Sequence, residues 1–159
     1  MAQTTTFYGV INNPLFEYNT TGGSTYTNAS GEIISVKWGG GARKAGEVNT
    51  YDGDTPIIGE GKRESVDLTI RYVWAASAAG SASFITTMIP IYENTAAAST
   101  RGVYVRYSPS GSAAGRWRMT ASGSGVITSL TYPDVAADQT DPVVGEITIK
   151  FPGFTSGSI

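Results

Sequence analysis

The sequence contains neither cysteine nor histidine among its 159 residues. Without cysteine there is no disulfide and no thiolate metal site. Without histidine the chain lacks the usual proton-transfer residue near neutral pH and the commonest metal ligand. Ser–His and Cys–His catalytic centres are therefore excluded. We expect a protein that is not an enzyme and that holds no metal and no cofactor.

Charged residues are also scarce, at 15% of the chain, and the formal net charge is −2. A protein that grips nucleic acid by its phosphates usually carries a basic surface, which this balance does not predict. No apolar run approaches the roughly 18 residues of a membrane-spanning helix, so we expect no membrane partner. At this length residues 1–159 are most simply one domain.

Strict alternation of apolar and polar residues is the strongest local pattern, and it predicts β-strands. It runs over eleven residues from Glu64 to Trp74 and over a shorter stretch after Glu32. Further strands are predicted near residues 103–107, 116–120, 125–132 and 143–151. The apolar faces of the first two strands are Ile34, Val36 and Trp38, and Val66, Leu68, Ile70, Tyr72 and Trp74.

One helix is predicted over residues 81–94, where Phe84, Met88 and Tyr92 recur at four-residue spacing. Pro90 is expected to kink this helix or end its first half. Residues 1–29 are too irregular for regular elements and are expected to form an N-terminal arm. The predicted fold class is mostly β: a β-sandwich or small barrel of about six to eight strands with one flanking α-helix.

The polar stretch of residues 39–62, GGGARKAGEVNTYDGDTPIIGEGK, separates the two clearest strands. It predicts a long loop, and most connections in compact domains span only about 4–6 residues, so a loop of this length is usually functional. Charges of both signs gather between Arg43 and Glu64, in this stretch and directly after it: Arg43, Lys44, Glu47, Asp52, Asp54, Glu60, Lys62, Arg63 and Glu64. One interpretation is a solvated, flexible loop. The other is a surface that pairs with a copy of itself, where opposite charges set register and orientation.

Three chemical readings of this stretch are weak. A glycosidase needs two carboxyl groups facing each other across a sugar, whereas Asp52-Gly53-Asp54 is equally typical of a tight turn. The same triplet lacks the ligand series and closing glutamate of a Ca²⁺ loop. The segments GGGAR and GEGKR do not match a phosphate-binding loop and have no helix after them. We therefore expect no catalytic, cofactor-binding or metal-binding residue.

The order of these features is similar to that of the major tail tube proteins of long-tailed bacteriophages. The segment from Val48 to Trp74 carries most of the likeness, with TYDGDTPI followed by the strand ESVDLTIRYVW. Further support comes from VYVRYSPSG, GVITSLTYPDV and PVVGEITIKFPG, so that the likeness covers roughly residues 30–152.

This resemblance implies a non-enzymatic virion protein of the tail, assembled in the host cytoplasm. Six copies would form a ring, their inner sheets would join into one β-barrel around a DNA channel, and the long loop would contact the adjacent ring. The implied partners are other copies, the tape-measure, tail-tip and terminator proteins, and DNA in transient, non-specific passage. The residues expected to face the channel are Ser35, Lys37, Ser65, Asp67, Thr69 and Arg71.

Two alternatives stay open. A carbohydrate-binding β-sandwich module would use exposed aromatic residues such as Tyr51, Tyr104 and Trp117. The second alternative is the inner tube of a contractile injection system, in which the same fold would serve in a different assembly.

Overall fold

A computed structural model of the chain describes residues 14–74, 84–109, 111, 113, 115–132, 134, 136–138 and 140–159. Within these residues eleven strands form three antiparallel sheets, and there is one α-helix. The strands are β1 Leu15–Asn19, β2 Thr27–Asn28, β3 Ile33–Gly40, β4 Arg43–Val48, β5 Ile57–Arg63, β6 Val66–Val73, β7 Tyr104–Ser108, β8 Trp117–Ala121, β9 Val126–Thr131, β10 Val144–Phe151 and β11 Phe154–Ser158. The mostly β class with one helix is confirmed, with more strands than the six to eight expected.

A four-stranded sheet in the order β3-β6-β10-β9 forms one layer of the sandwich. Its two central strands carry the alternation that the sequence predicts: Leu68, Ile70 and Tyr72 of β6 are buried, and so are Ile147 and Ile149 of β10. Ile70 lies directly opposite Ile147, so the apolar faces of both strands coincide. A period of two puts all of these side chains on one side and the polar residues between them on the other.

The second layer is a five-stranded sheet in the order β11-β8-β7-β1-β2. Phe16 and Tyr18 of β1 and Val105 of β7 point into the space between the layers and are buried. The helix α1, Phe84–Tyr92, closes this core, because Phe84 packs edge-to-face on Phe16 and Tyr18 at centroid distances of 5.4 and 5.3 Å. Aromatic pairs of this geometry add to the stability that their buried area supplies.

The helix α1 ends at Tyr92, before the predicted end at residue 94, and only the first part of its apolar stripe is buried. Phe84 and Met88 are buried, whereas Tyr92 is 43% exposed. Pro90 lies in the last turn, and Asn94 follows the helix at a φ of 62°, the left-handed conformation that commonly ends helices. The first part of the predicted helix, residues 81–83, lies outside the described residues.

The expectation of an irregular N-terminal arm over residues 1–29 is wrong for its second half. β1 and β2 belong to the five-stranded sheet, with Phe16 and Tyr18 in the core. The Asn19 side chain holds the turn that follows β1, because its amide donates to the carbonyls of Gly23 and Thr25 at 2.8 and 2.7 Å. Only five residues alternate in β1, too few to stand out among the surrounding threonines and glycines. Residues 1–13 lie outside the described part of the chain.

The stretch predicted as a long loop is a β-hairpin instead. β4 and β5 pair with each other to form the third sheet, and only residues 49–56 connect them. Glycine and charged residues occupy most positions of both strands, so no apolar alternation marks them in the sequence. Gly61 is required where the pairing slips, because a Cβ there would lie 2.5 Å from the carbonyl oxygen of Lys44.

The expectation that Ile34 shares the apolar face with Val36 is also wrong. The pairing of β3 with β6 slips between Ile33 and Ser35, so Ile34 is an extra residue in a β-bulge and is 48% exposed. Ile33 packs against the core in its place. A bulge shifts the alternation by one residue, which the sequence pattern does not reveal.

Candidate assembly surfaces

The four-stranded sheet has two open edges, formed by β3 and β9. Among the described residues each of these strands pairs with one neighbour only, β6 and β10 respectively. All the pairings are antiparallel, so β3 runs in the opposite direction to β9. An edge strand presents unpaired backbone N–H and C=O groups that can pair with another chain. The two edges therefore have complementary directions.

Both edge strands carry little of the usual protection against such pairing. β3 contains one charged residue, Lys37, and β9 contains none; neither contains proline. Each strand carries one bulge, at Ile34 in β3 and at Thr128 in β9. Bulges bend a strand and increase its twist, which is how curvature is introduced into sheets that close. The edges are thus curved but otherwise free to pair.

The outer face of this sheet is polar, and it contains five of the six residues predicted to face a channel. Ser35 and Lys37 lie opposite Arg71 and Thr69, and Asp67 lies on the same face; Ser65 precedes β6 and is exposed. The sequence prediction omitted the residues that β9 and β10 add to this face. They are Ser129 and Thr131 from β9 and Glu146, Thr148 and Lys150 from β10, and the exposed Val126 of β9 lies on the same face opposite Lys150.

Charges on this polar face are placed so that acids adjoin bases. Lys150 Nζ lies 3.9 Å from Asp67 Oδ1, and Glu146 lies directly opposite Arg71. Lys37 is opposite Thr69 and has no acid in the facing position. The face therefore carries three cationic and two acidic side chains within these four strands, although the whole chain is net negative.

The hairpin formed by β4 and β5 projects with nearly every side chain exposed. Three of the residues predicted to contact another ring have partners within the chain: Arg43 forms an ion pair with Glu60, and Lys44 Nζ lies 3.9 Å from Glu64 Oε1. The remaining predicted residues make no ion pair in the part of the chain that the structure describes. They are Glu47, Asp52, Asp54, Lys62 and Arg63.

An apolar tip, which the charge pattern concealed, lies at the far end of the hairpin. Val48 lies opposite Ile57, and these residues are 63% and 60% exposed. Ile58 is 67% exposed and Tyr51 fully so. Ile57 and Ile58 are consecutive residues of β5, so the tip is apolar on both faces of the hairpin. An isolated two-stranded hairpin is marginally stable in water, and exposed apolar patches mark interaction sites. The signal available in the sequence was Val48 and Ile57–Ile58 at either end of an otherwise polar connection.

No acid–base or metal chemistry stands out in the described residues. They contain no group of three or more aspartate or glutamate side chains placed to hold a metal ion. Burial raises the pKa of Tyr72 and Tyr107, and a hydrogen bond to Glu93 raises the pKa of Tyr132. A phenol is protonated near neutral pH even at its ordinary pKa, so these upward shifts create no titrating group there. No helix in the described ranges is long and apolar enough to cross a membrane.

The three aromatic residues considered for carbohydrate binding do not form one platform. Tyr51 lies in the hairpin connection, while Tyr104 begins β7 and Trp117 begins β8. β7 and β8 are antiparallel neighbours, so their first residues lie at opposite ends of the pair. The structure therefore gives the carbohydrate hypothesis no shared binding surface from these residues.

Comparison with known proteins identifies solved structures with the same architecture. No protein-family model matches the sequence, and no curated protein matches it either. Solved structures do match. A chain from the PVC sheath–tube complex of an extracellular contractile injection system aligns with a TM-score of 0.60 and 15% identity, over 95% of this chain and 93% of that one.

Two further matches extend the likeness. The PVC sheath/tube terminator aligns with a TM-score of 0.62 and 15% identity over 97% of this chain and 99% of that one. The SPP1 tail tube aligns with a TM-score of 0.54 and 12% identity over 92% and 77%. The chain has a tail-tube fold. Because the tail-tube fold recurs here in both contractile systems and a phage tail tube, the likeness does not single out long-tailed phages.

Proposed function

We propose that this chain is a structural subunit that self-assembles into rings stacked as the hollow tail tube of a bacteriophage. The observation that carries this proposal is the four-stranded sheet with two open edges of opposite strand direction. Its tail-tube fold supports the same conclusion. A subunit of this kind has a mechanical role, and we assign it no catalytic residue.

Ring closure follows from the strand directions. When β9 of one copy lies beside β3 of the next, the new pair is antiparallel, like every other pair in the sheet. Because each copy contributes an even number of alternating strands, the pattern repeats around a ring of any size. Closure into one barrel removes every open edge of this sheet. The proposed ring contains six copies, as the resemblance to phage tube proteins implies.

In such a ring the polar face would line the channel. Its proposed residues are Ser35, Lys37, Ser65, Asp67, Thr69 and Arg71, together with Glu146, Thr148 and Lys150 from β10. Most of its cations adjoin an acid, as Lys150 adjoins Asp67 at 3.9 Å. A protein binds DNA strongly where free cations replace counterions on the phosphates, and paired cations do this poorly. DNA would therefore pass along this face without being held.

The hairpin is proposed as the contact between stacked rings. Its own charges at Arg43, Lys44 and Glu60 act mainly within the copy, because they are paired there. Glu47, Asp52, Asp54, Lys62 and Arg63 would set orientation against the next ring. The apolar tip would supply most of the affinity, because burying exposed aliphatic side chains is favourable at roughly 25 cal/mol per Å².

Negative-stain microscopy of the purified protein and of virions tests the proposal, and we expect rings or tubes with a central channel. The lining is tested separately with Thr148→Cys, a unique thiol in a chain without cysteine. In assembled tubes this thiol should react with a small maleimide and resist a bulky polymer-linked one, while Ser24→Cys, in an exposed turn, should react with both. Dispersed monomers together with absence of the protein from virions would refute the tube assignment.

A second candidate is the inner tube of a contractile injection system, favoured by the match to a chain of the PVC sheath–tube complex. The test is whether particles containing the protein also carry a sheath around the tube. In either machine the proposed location is the tail, and the proposed partners are further copies and the tape-measure, tail-tip and terminator proteins.

A further inference from the structure

The strand registers define the end of the sandwich that lies opposite the hairpin. Gly40, after which the hairpin leaves, lies opposite Val66, and Val66 lies opposite Phe151. The other end of the four-stranded sheet is therefore the beginning of β3, which starts at Ile33. Ile34 is six residues from Gly40, which is about 20 Å along a strand. We call this end, opposite the hairpin, the distal end of the sandwich.

An apolar groove of about 280 Å³ opens at the distal end, between the beginning of β3 and the other layer. The hydroxyl of Ser30 in its lining is already paired, because it accepts a hydrogen bond from the Phe16 N–H at 2.9 Å and donates one to Asn28 Oδ1 at 2.6 Å. Ile34, the extra residue of the β3 bulge, is 48% exposed. The apolar lining includes Pro14, Leu15, Ile33, Ile34, Tyr107 and Pro109. The groove is therefore suited to apolar side chains.

Trp117 lies at the same end, beside the groove. It begins β8 and lies opposite Ser158, the last residue of β11. The first residue of β11, Phe154, shares a cleft with residues of the hairpin base, so Trp117 is at the distal end. Its carbonyl accepts a hydrogen bond at 2.6 Å from the hydroxyl of Ser108, which precedes Pro109 of the groove. At 64% exposure, Trp117 extends the apolar surface beyond the groove.

The hairpin is long enough to cross from one ring to the next. It continues the pairing of β3 with β6, because the Gly41 N–H donates to the Ser65 carbonyl at 3.0 Å and the Glu64 N–H to the Ala42 carbonyl at 2.8 Å. The six residues of β4 then extend it by about 20 Å. In a head-to-tail stack, the hairpin end of each ring faces the distal end of the next. The apolar tip then lies against the distal end of a copy in that ring.

Acidic residues surround the apolar tip. Between Ala45 and Gly59 the hairpin carries three acids and neither lysine nor arginine. The three are Glu47, Asp52 and Asp54, and none of them forms an ion pair among the described residues. The tip therefore presents a negative charge to the surface that receives it.

Arg116 and Arg118 give the surface beside the groove the opposite charge. They precede and follow the exposed tryptophan, and neither forms an ion pair in the described ranges. The two acids that adjoin the groove in the chain are held elsewhere, Glu17 by Arg106 and Glu32 by the first backbone N–H of α1 at 2.7 Å. Three further acids lie on the β9 side of the four-stranded sheet, in the connection from β9 to β10: Asp134, Asp138 and Asp141.

We propose that the apolar tip of one copy docks on the groove and Trp117 at the distal end of a copy in the adjacent ring. This inference rests on the proposed stacking of rings and assigns the surface that receives the hairpin. Ile57, Ile58 and Val48 would leave water for an apolar wall, which is favourable. The acids around the tip would meet Arg116 and Arg118, which would set the orientation of the contact. A second copy of this chain is therefore the occupant that fits the groove.

A cysteine pair tests the contact directly in a chain that has no cysteine. Thr55→Cys and Ile34→Cys place one thiol in the hairpin connection and one in the groove, at opposite ends of a copy, so a short bismaleimide can link them only between copies. In assembled tubes we expect a ladder of linked chains that continues beyond the number of copies in one ring.

The matched control is Thr55→Cys/Ser24→Cys, which should give no ladder. Ser24 is exposed like Thr55, but it lies in the turn after β1. Because β1 begins at the groove with Leu15 and runs away from it, Ser24 is at the hairpin end of the sandwich. Head-to-tail stacking keeps that end away from the hairpin connection of the adjacent ring.

Substitution of Ile34 provides the second measurement. Ile34→Asp should give rings that do not stack, with an unchanged melting temperature because this side chain is half exposed, whereas Ile34→Val should still form tubes. A ladder that stops at the size of one ring would assign the groove to the neighbour within the ring. Tubes without any ladder would leave the groove to another occupant, such as residues 1–13. Either result overturns the docking proposal while the tube assignment stands, and a wild type that forms neither rings nor tubes overturns both.

Discussion

Replacing Ile57 and Ile58 by serine should separate folding of the subunit from stacking of the rings. These side chains are 60% and 67% exposed, so most of their apolar surface is still available for burial against another ring. Fully burying one isoleucine contributes about 1.5–3 kcal/mol, so the exposed part of each is worth about 1–2 kcal/mol. The double substitution should then cost each hairpin contact about 2–4 kcal/mol, repeated at every hairpin around the ring.

The stability of the subunit should barely change, because surface substitutions usually shift unfolding free energies by less than about 0.5 kcal/mol. Sedimentation and negative-stain microscopy should show rings that fail to stack, together with an unaltered thermal unfolding curve. The control is Ile57→Val/Ile58→Val, which keeps the apolar surface and should keep the tubes. Tubes of normal length from the serine variant would show that the apolar tip does not join rings.

Three further predictions concern the fold. Gly145→Ala should destabilise the subunit by about 1–3 kcal/mol in chemical denaturation, because a Cβ there would lie 2.5 Å from Cζ of the buried Tyr72. The control is Gly157→Ala, which has open space around it and should leave the stability unchanged. Burial raises the pKa of Tyr72 above its ordinary value of 10.0. The stability that protonated Tyr72 gives to the folded state should therefore be complete below that pH and should be lost as the pH rises through the folded-state pKa. Tyr72→Phe should weaken this alkaline loss in a pH series of melting temperatures. Arg106→Ala should cost about 1–3 kcal/mol, because it leaves the partly buried Glu17 carboxylate without the Nε donor at 2.5 Å, and an equally stable variant would show that solvent replaces the pair.

The strands of the four-stranded sheet were predictable because their side chains alternate over long stretches. In β6 and β10 one face is in the core and the other is in water, so burial imposes the period on the sequence itself. The hairpin was not predictable in this way. Both faces of β4 and β5 are exposed, so burial imposes no alternation of apolar and polar residues on these strands. Glycines and charged residues occupy most of their positions instead.

The polar face was predicted in part for a similar reason. Ser35, Lys37, Asp67, Thr69 and Arg71 could be assigned from their own strands, but the sequence could not show which other strand supplies the rest of the face. The pairing of β6 with β10 decides that, since it places Lys150 beside Asp67 although these residues are far apart in the chain.

By itself the sequence determined the chemical limits of this protein: no thiol, no imidazole, few charges, and strands with one wet face. These follow from composition and from the two-residue period of a strand, which are local properties. Only the tertiary structure decided which strands form edges, how their directions match, and that the polar stretch pairs with itself as a hairpin. Those features depend on pairing between distant segments, and such pairing is set by the burial of the whole core rather than by any single stretch of chain.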